Sequence, residues 1–130
     1  MSAYIYAEPD ISPIIHGDGQ TKKHYRLSRD WLVRTPYGDF TVPKGMITDG
    51  ASIPRFLWRI CGNPFDSPRI VAAIIHDYLY GTHHRDRKTA DIIYRDMQLS
   101  LGIPAWKAYI EYWALHWFGG AAWRNGATES

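Results

Sequence analysis

Cysteine is nearly absent from this chain: Cys61 is the single one in 130 residues. A lone thiol excludes an internal disulfide framework and leaves no partner for a cysteine-based zinc site. Long apolar runs are missing as well. No stretch reaches the eighteen or so residues that cross a bilayer, so no transmembrane segment is expected. The short run Tyr4 to Ala7 gives way at once to Glu8 and Pro9, so no signal peptide is read at the start. Neither sign of charge dominates, with 15 basic against 13 acidic residues and a net charge of +2. That balance, without any block of like charges, gives no electrostatic footprint for nucleic acid, and none is expected as a partner. Internal repeats and low-complexity tracts are lacking too.

What is plentiful is aromatic surface: 6 Trp and 9 Tyr in a composition that is 45% hydrophobic. Large rings serve either as core filling or as contact surface, because each buries much area for little rotamer cost. The length fits one domain over residues 1–130, able to fold without disulfides or a structural metal.

Punctuation divides the chain into a strand-rich half, residues 1–60, and a three-helix half, residues 67–120. Trp31 to Thr35 and Asp39 to Val42 flank Pro36-Tyr37-Gly38, a hairpin signal. Lys23 to Ser28 alternates as a further strand, and Pro43-Lys44-Gly45 turns the chain into Met46-Ile47-Thr48. Three or four short antiparallel strands are expected. In the second half, Ser67-Pro68 reads as a helix start and Gly81 as its end, around a stripe of Ile70, Val71, Ile74, Ile75, Tyr78 and Leu79. A second helix starts near Asp86 or Thr89 and stops at Gly102, with Ile92, Ile93, Met97, Leu99 and Leu101 as its stripe. A third runs from Pro104 to Gly119-Gly120 and is apolar nearly all round, the pattern of a central core helix or of one pressed against a partner or lipid. The tail from Ala121 is expected to be loose. The fold class is therefore α+β: a small N-terminal antiparallel β-sheet packed on three C-terminal α-helices.

The sharpest motif is His76-Asp77-Tyr78-Leu79-Tyr80, followed by Asp91. With Gly81 ending one helix and Asp86 capping the next, His76 and Asp91 each lie five residues from the turn. At about 1.5 Å per residue both sit roughly 7–8 Å along an antiparallel helix pair, level with each other. Packed helices about 8–10 Å apart leave room for an imidazole–carboxylate hydrogen bond. Tyr80 shares the His76 face at i+4 and can donate to the same carboxylate. A carboxylate on one ring nitrogen fixes the tautomer and makes the other nitrogen a base for water. The same pair is also a common way to satisfy a buried polar group between helices. Asp77, about 100° further round the helix, suits a hard cation such as Ca²⁺.

A second segment, Thr48-Asp49-Gly50-Ala51-Ser52-Ile53-Pro54-Arg55, is rich in turn and cap residues. It reads either as a strand-to-helix connector or as ligand-binding. In the second case Asp49 joins Asp77 as a metal ligand, Gly50 lets the backbone approach, and Arg55 steadies an anionic substrate. Trp113 and Trp117 on the aromatic helix are candidate substrate-binding residues. His16, His24 and His116 are isolated, and the adjacent His83 and His84 are read as solvated or substrate-facing.

In motif order, Thr48 to Pro54, His76 to Tyr80 and Ala90-Asp91 resemble a phage and prophage family known as domain of unknown function 1353. That resemblance implies a phage-related product without an established activity, in the host cytoplasm or a virion. Over about 25 residues, His76-Asp77-x-x-Tyr80 with Ala90-Asp91 is also similar to the catalytic helices of phospholipases A2. That likeness implies His76 as the base for water, Asp77 as a Ca²⁺ ligand, and Asp91 with Tyr80 as orienters. Their glycine-rich calcium loop has no counterpart beyond Asp49-Gly50. The leading expectation is a metal-assisted hydrolase of an ester or phospholipid, with lipid as its partner. Its competitor is a non-enzymatic phage structural or assembly protein, bound to a virion component, in which the dyad is a polar clamp. A third reading, a His-Asp phosphohydrolase with His24 as the added histidine, conflicts with the strand-rich first half.

Overall fold

The computed structural model describes residues 4–13, 25–48, 55–62 and 69–127. They fall into two compact units, residues 1–49 and 50–130.

Among its described residues the first unit holds six short strands: β1 (Ile5–Tyr6), β2 (Ile11–Pro13), β3 (Tyr25–Leu27), β4 (Trp31–Thr35), β5 (Gly38–Val42) and β6 (Ile47–Thr48). They form two antiparallel three-stranded sheets, ordered β1-β4-β5 and β2-β3-β6, where one sheet of three or four strands was expected. The difference lies in β1 and β2, strands of two and three residues bordered by prolines and too short to show a period. The β4–β5 hairpin pairs Thr35 with Gly38 across Pro36-Tyr37. Gly38 holds a φ of 123°, which a side chain would oppose. Thr35 stitches the turn, its Oγ1 donating to the Gly38 carbonyl at 2.9 Å and accepting from the Tyr37 amide at 3.0 Å. Strict alternation puts Trp31, Val33 and Thr35 inside with Phe40 and Val42. Trp31 donates its indole N–H to the Ala7 carbonyl at 2.7 Å and meets Tyr6 edge to face.

The second unit has five helices among its described residues: α1 (Arg55–Cys61), α2 (Arg69–Thr82), α3 (Arg87–Ser100), α4 (Ala105–Phe118) and α5 (Gly120–Ala127). Helix α2 packs on α3 and α5, α3 on α4, and α4 on α1 and α5. The architecture is α+β. Ser67 and Pro68, read as the start of α2, lie outside the described residues.

Helix boundaries follow side-chain chemistry. Asp86 caps α3 as expected, its carboxylate taking the Thr89 hydroxyl at 2.6 Å and the Thr89 amide at 3.4 Å. The other end closes with Gly102 at a φ of 86°, while the amides of Gly102 and Ile103 return to the carbonyls of Leu99 and Gln98. Helix α2 does not end at Gly81. It runs one residue further, and His83 takes the left-handed position with a φ of 56°. A non-glycine residue there is strained, and its ring contacts offset the cost. The His83 ring stacks on Trp123 at 3.5 Å between centroids, and its Nε2–H donates to the Trp123 carbonyl at 2.6 Å.

Several expectations are corrected or decided here. The tail beyond Gly120 is helical: α5 docks on α2 through Trp123, which also meets Tyr80 edge to face. His83 is therefore engaged within the fold. The all-round buried helix is α2, whose residues from Arg69 to Tyr80 are buried except Asp77. Helix α4 instead buries Ala108, Glu111, Tyr112, Ala114 and Leu115 and turns most of its rings outward. Finally, α3 faces the core with Ala90, Asp91, Ile93, Tyr94, Met97 and Gln98, so Ile92, Leu99 and Leu101 stand at its edge.

Candidate functional site

Helices α2 and α3 fold back on each other across residues 83–86, and this brings His76 and Asp91 together. His76 Nε2 lies 3.0 Å from Asp91 Oδ1, and the Tyr80 hydroxyl donates to that same oxygen at 2.6 Å. One carboxylate oxygen thus receives two donors from one face of α2, one turn apart. In a neutral ring that donates through Nε2, Nδ1 is the acceptor nitrogen. His76 is 0% exposed, Asp91 and Tyr80 2% each. Burial first, and then the Asp91 charge, push the Tyr80 phenol far above its ordinary pKa. Tyr80 is therefore a standing donor to Asp91 over the whole range in which proteins work.

Gly119, which closes α4, makes room for this arrangement. A Cβ on Gly119 would stand 2.8 Å from the Tyr80 hydroxyl and 2.6 Å from the Leu115 carbonyl oxygen. The end of α4 is thus fitted to the tyrosine that orients Asp91.

A second buried cluster escaped the sequence reading. Arg69, at the start of α2, pairs with Glu111 of α4. Its Nε donates to Gln98 Oε1 at 3.0 Å, and its Nη1 donates to the carbonyls of Cys61 and Gly62 at 2.9 and 2.7 Å. Tyr94 donates to the other Glu111 oxygen at 2.8 Å. One guanidinium fork thereby joins the C-terminal end of α1 to α3 and α4. Burial raises the Glu111 carboxyl above its usual range, and the Arg69 charge holds that rise back. Burial also lifts Tyr94 well above its ordinary value, with the Glu111 charge adding to it. The clue in the sequence is that Glu111 is the sole acidic residue of a mostly apolar helix, on the same face as Ala108, Leu115 and Tyr112. A charge there needs a partner.

The two clusters touch. The His76 ring packs between Tyr80 at 4.2 Å and Tyr94 at 4.8 Å between centroids. A buried chain of contacts runs Tyr80–Asp91–His76–Tyr94–Glu111–Arg69 through α2, α3 and α4, hydrogen-bonded or ion-paired except at the ring contact between His76 and Tyr94. With its members buried, it ties the three helices together through donors and acceptors.

Asp77 is half-buried on α2. Asp49 and Gly50 lie outside the described residues, as do His16 and His24, and Arg55 opens α1 with its side chain likewise undescribed. Among the described residues, no group of three or more His, Cys, Asp or Glu is placed to hold a metal ion. Trp113 and Trp117 stand on the outward face of α4, Trp113 edge-on to Tyr112 and His116, Trp117 edge-on to His116. Cys61 is buried, and burial raises its thiol above the ordinary range, as befits an inert core residue. In the strand unit an open cavity of about 710 Å³ is lined by Tyr6, Glu8, Asp10, Arg29 and Trp31, among others.

Residues 25–115 match a family described as Protein of unknown function (DUF1353). The chain belongs to this family. The matched stretch contains both buried clusters, from Arg69 to Glu111. Two curated relatives come from Sinorhizobium fredii, and both are described as uncharacterised. The protein y4jT is 37% identical over 106 residues, covering 78% of this chain and 31% of its own length. The protein y4iH is 38% identical over 72 residues, covering 55% of this chain and 30% of its own. The chain thus spans about a third of the length of these relatives. No solved structure matches it.

Proposed function

We propose that this family member is a non-enzymatic structural or assembly module in which His76, Asp91 and Tyr80 form a polar clamp of the helical core. Burial carries the reading: the His76 ring has no exposed surface and Asp91 scarcely any. A general base must reach its proton directly or through one water. A ring enclosed between two tyrosines and a carboxylate is suited instead to holding α2 and α3 in register. Through Tyr94 and Glu111 the same network reaches α4, and so fixes the helix that carries the exposed aromatic face. In the phage and prophage setting that the family resemblance implies, such a module would serve assembly by docking through that face.

A second reading is a hydrolase in which His76 activates water and Asp77 contributes to a Ca²⁺ site. One observation favours it: Asp91 Oδ1 receives both His76 and Tyr80, an arrangement that sets the imidazole tautomer. One experiment separates the two. Wild type and His76→Asn are assayed on phospholipid and simple ester substrates, with Ca²⁺ or chelator, beside their thermal melts. The clamp reading expects equal background hydrolysis, a lower melting temperature for the variant, and a wild-type melt that Ca²⁺ does not move. Chelator-sensitive hydrolysis lost in His76→Asn would overturn it in favour of the hydrolase.

A further inference from the structure

We infer that the outer face of α4, with the adjoining edge of α1, lies flat on an anionic lipid surface. This names the partner of the docking face and rests on the module reading above. Trp106, Tyr109, Ile110, Trp113 and Trp117 recur at three- and four-residue spacing, so they share one side of the helix. All are exposed, Trp113 by 53% and Trp117 by 71%. Phe118 meets Phe56 of α1 edge to face at 5.5 Å, and with Ile60 these side chains carry the exposed apolar surface onto α1. A continuous apolar ridge of this kind on a folded protein marks an interaction surface. Its rings are mostly Trp and Tyr, whose apolar bodies and polar edges suit the headgroup layer of a membrane.

Charge selects the kind of surface. Lys107 Nζ lies 5.5 Å from the Trp106 ring, and the Arg95 guanidinium 5.1 Å from the Tyr109 ring. Arg59 is exposed on α1, and Arg87 reaches the Leu115 and His116 carbonyls at 3.2 Å each. Glu111 is buried against Arg69, and Asp96 forms a neutral pair with Arg95 at 3.1 Å, so the net positive charge of the border comes from Lys107, Arg59 and Arg87. The ridge is thus apolar with a basic border, complementary to anionic headgroups. A second copy of the chain would set these same cations against each other. No helix of the described residues is long and apolar enough to cross a membrane, so the 14 residues of α4, about 21 Å, would lie in the plane of the surface.

The full chain is mixed with vesicles of phosphatidylcholine alone or with an equal part of phosphatidylglycerol, and followed by co-sedimentation and tryptophan fluorescence. The expected result is a blue shift and binding to the anionic vesicles, weakened by salt. Trp113→Ala/Trp117→Ala should lower the partition at least tenfold without moving the melt. Lys107→Glu should lower it about fivefold or more on anionic vesicles. Failure to bind either vesicle, or equal binding to both, overturns the inference. So does a concentration-dependent dimer, or a tight complex with a protein partner, that forms without vesicles and is lost in the double variant. Fatty-acid release that requires His76 would refute the clamp reading while leaving the lipid surface supported.

Discussion

His76→Ala gives the most direct measure of the buried clamp. The substitution removes one of the two donors to Asp91 Oδ1 and leaves Tyr80 alone against a carboxylate that is 2% exposed. Stripping a donor from a buried carboxylate costs about 3–5 kcal/mol, mostly because that charge cannot recover its water. A whole domain is stable by only about 5–15 kcal/mol, so this is a large fraction. For 130 residues the unfolding entropy is about 270 cal/mol/K near the midpoint, so the melting temperature should fall by about 11–18 °C. His76→Asn keeps a donor of similar reach and should lose about half as much. Asp91→Ala removes the acceptor from both partners and should cost a similar amount. The double variant His76→Ala/Asp91→Ala should then be less unstable than the sum of the singles, by about 1–3 kcal/mol, because no carboxylate is left stranded. Circular-dichroism melts and urea titrations of the four proteins provide the cycle. A His76→Ala melt within about 3 °C of wild type, or strictly additive singles, would refute the reasoning.

Gly119→Ala should destabilise by about 1–3 kcal/mol, because its Cβ would press on the Leu115 carbonyl and the Tyr80 hydroxyl. The same variant combined with Tyr80→Phe, which withdraws the hydroxyl, should recover part of that loss in the melt. Glu111 sets a pH dependence. Its folded pKa is raised by burial, so the folded state holds its proton more tightly than the unfolded chain. Its stabilising share is present in full below the ordinary glutamate value and is lost as pH rises through the folded value. Urea midpoints of wild type, compared with Glu111→Gln from pH 4 upward, should show this decline in wild type alone. A difference between the two proteins that grows in the opposite sense would sink it.

Much of the helical unit was legible because its signals are local. Asp86 with Thr89 declares a helix start, Gly102 declares an end, and equal counting from the turn set His76 level with Asp91. The hairpin around Pro36-Tyr37-Gly38 was readable for the same reason, since alternation and turn chemistry lie within a dozen residues. The two-residue strand β1 left no period to read, and its pairing with β4 spans more than twenty residues of chain. His83 could not be recognised as the left-handed residue after α2, because what offsets its strain is Trp123, forty residues away.

Composition told which residues of α4 were apolar but not which way they faced. A helix apolar nearly all round has little to orient it, so the choice fell to its one acidic residue. Glu111 is drawn inward by Arg69 and Tyr94, and that pairing turns Trp113 and Trp117 to the outside. The chain by itself thus determined the α+β class, the ends of α3 and the level of the His76–Asp91 pair, all products of short-range spacing. Only the tertiary structure decided that the pair is enclosed, that a second ionic cluster continues it, and that the aromatic helix bares its rings. Those outcomes depend on desolvation and on partners distant in sequence.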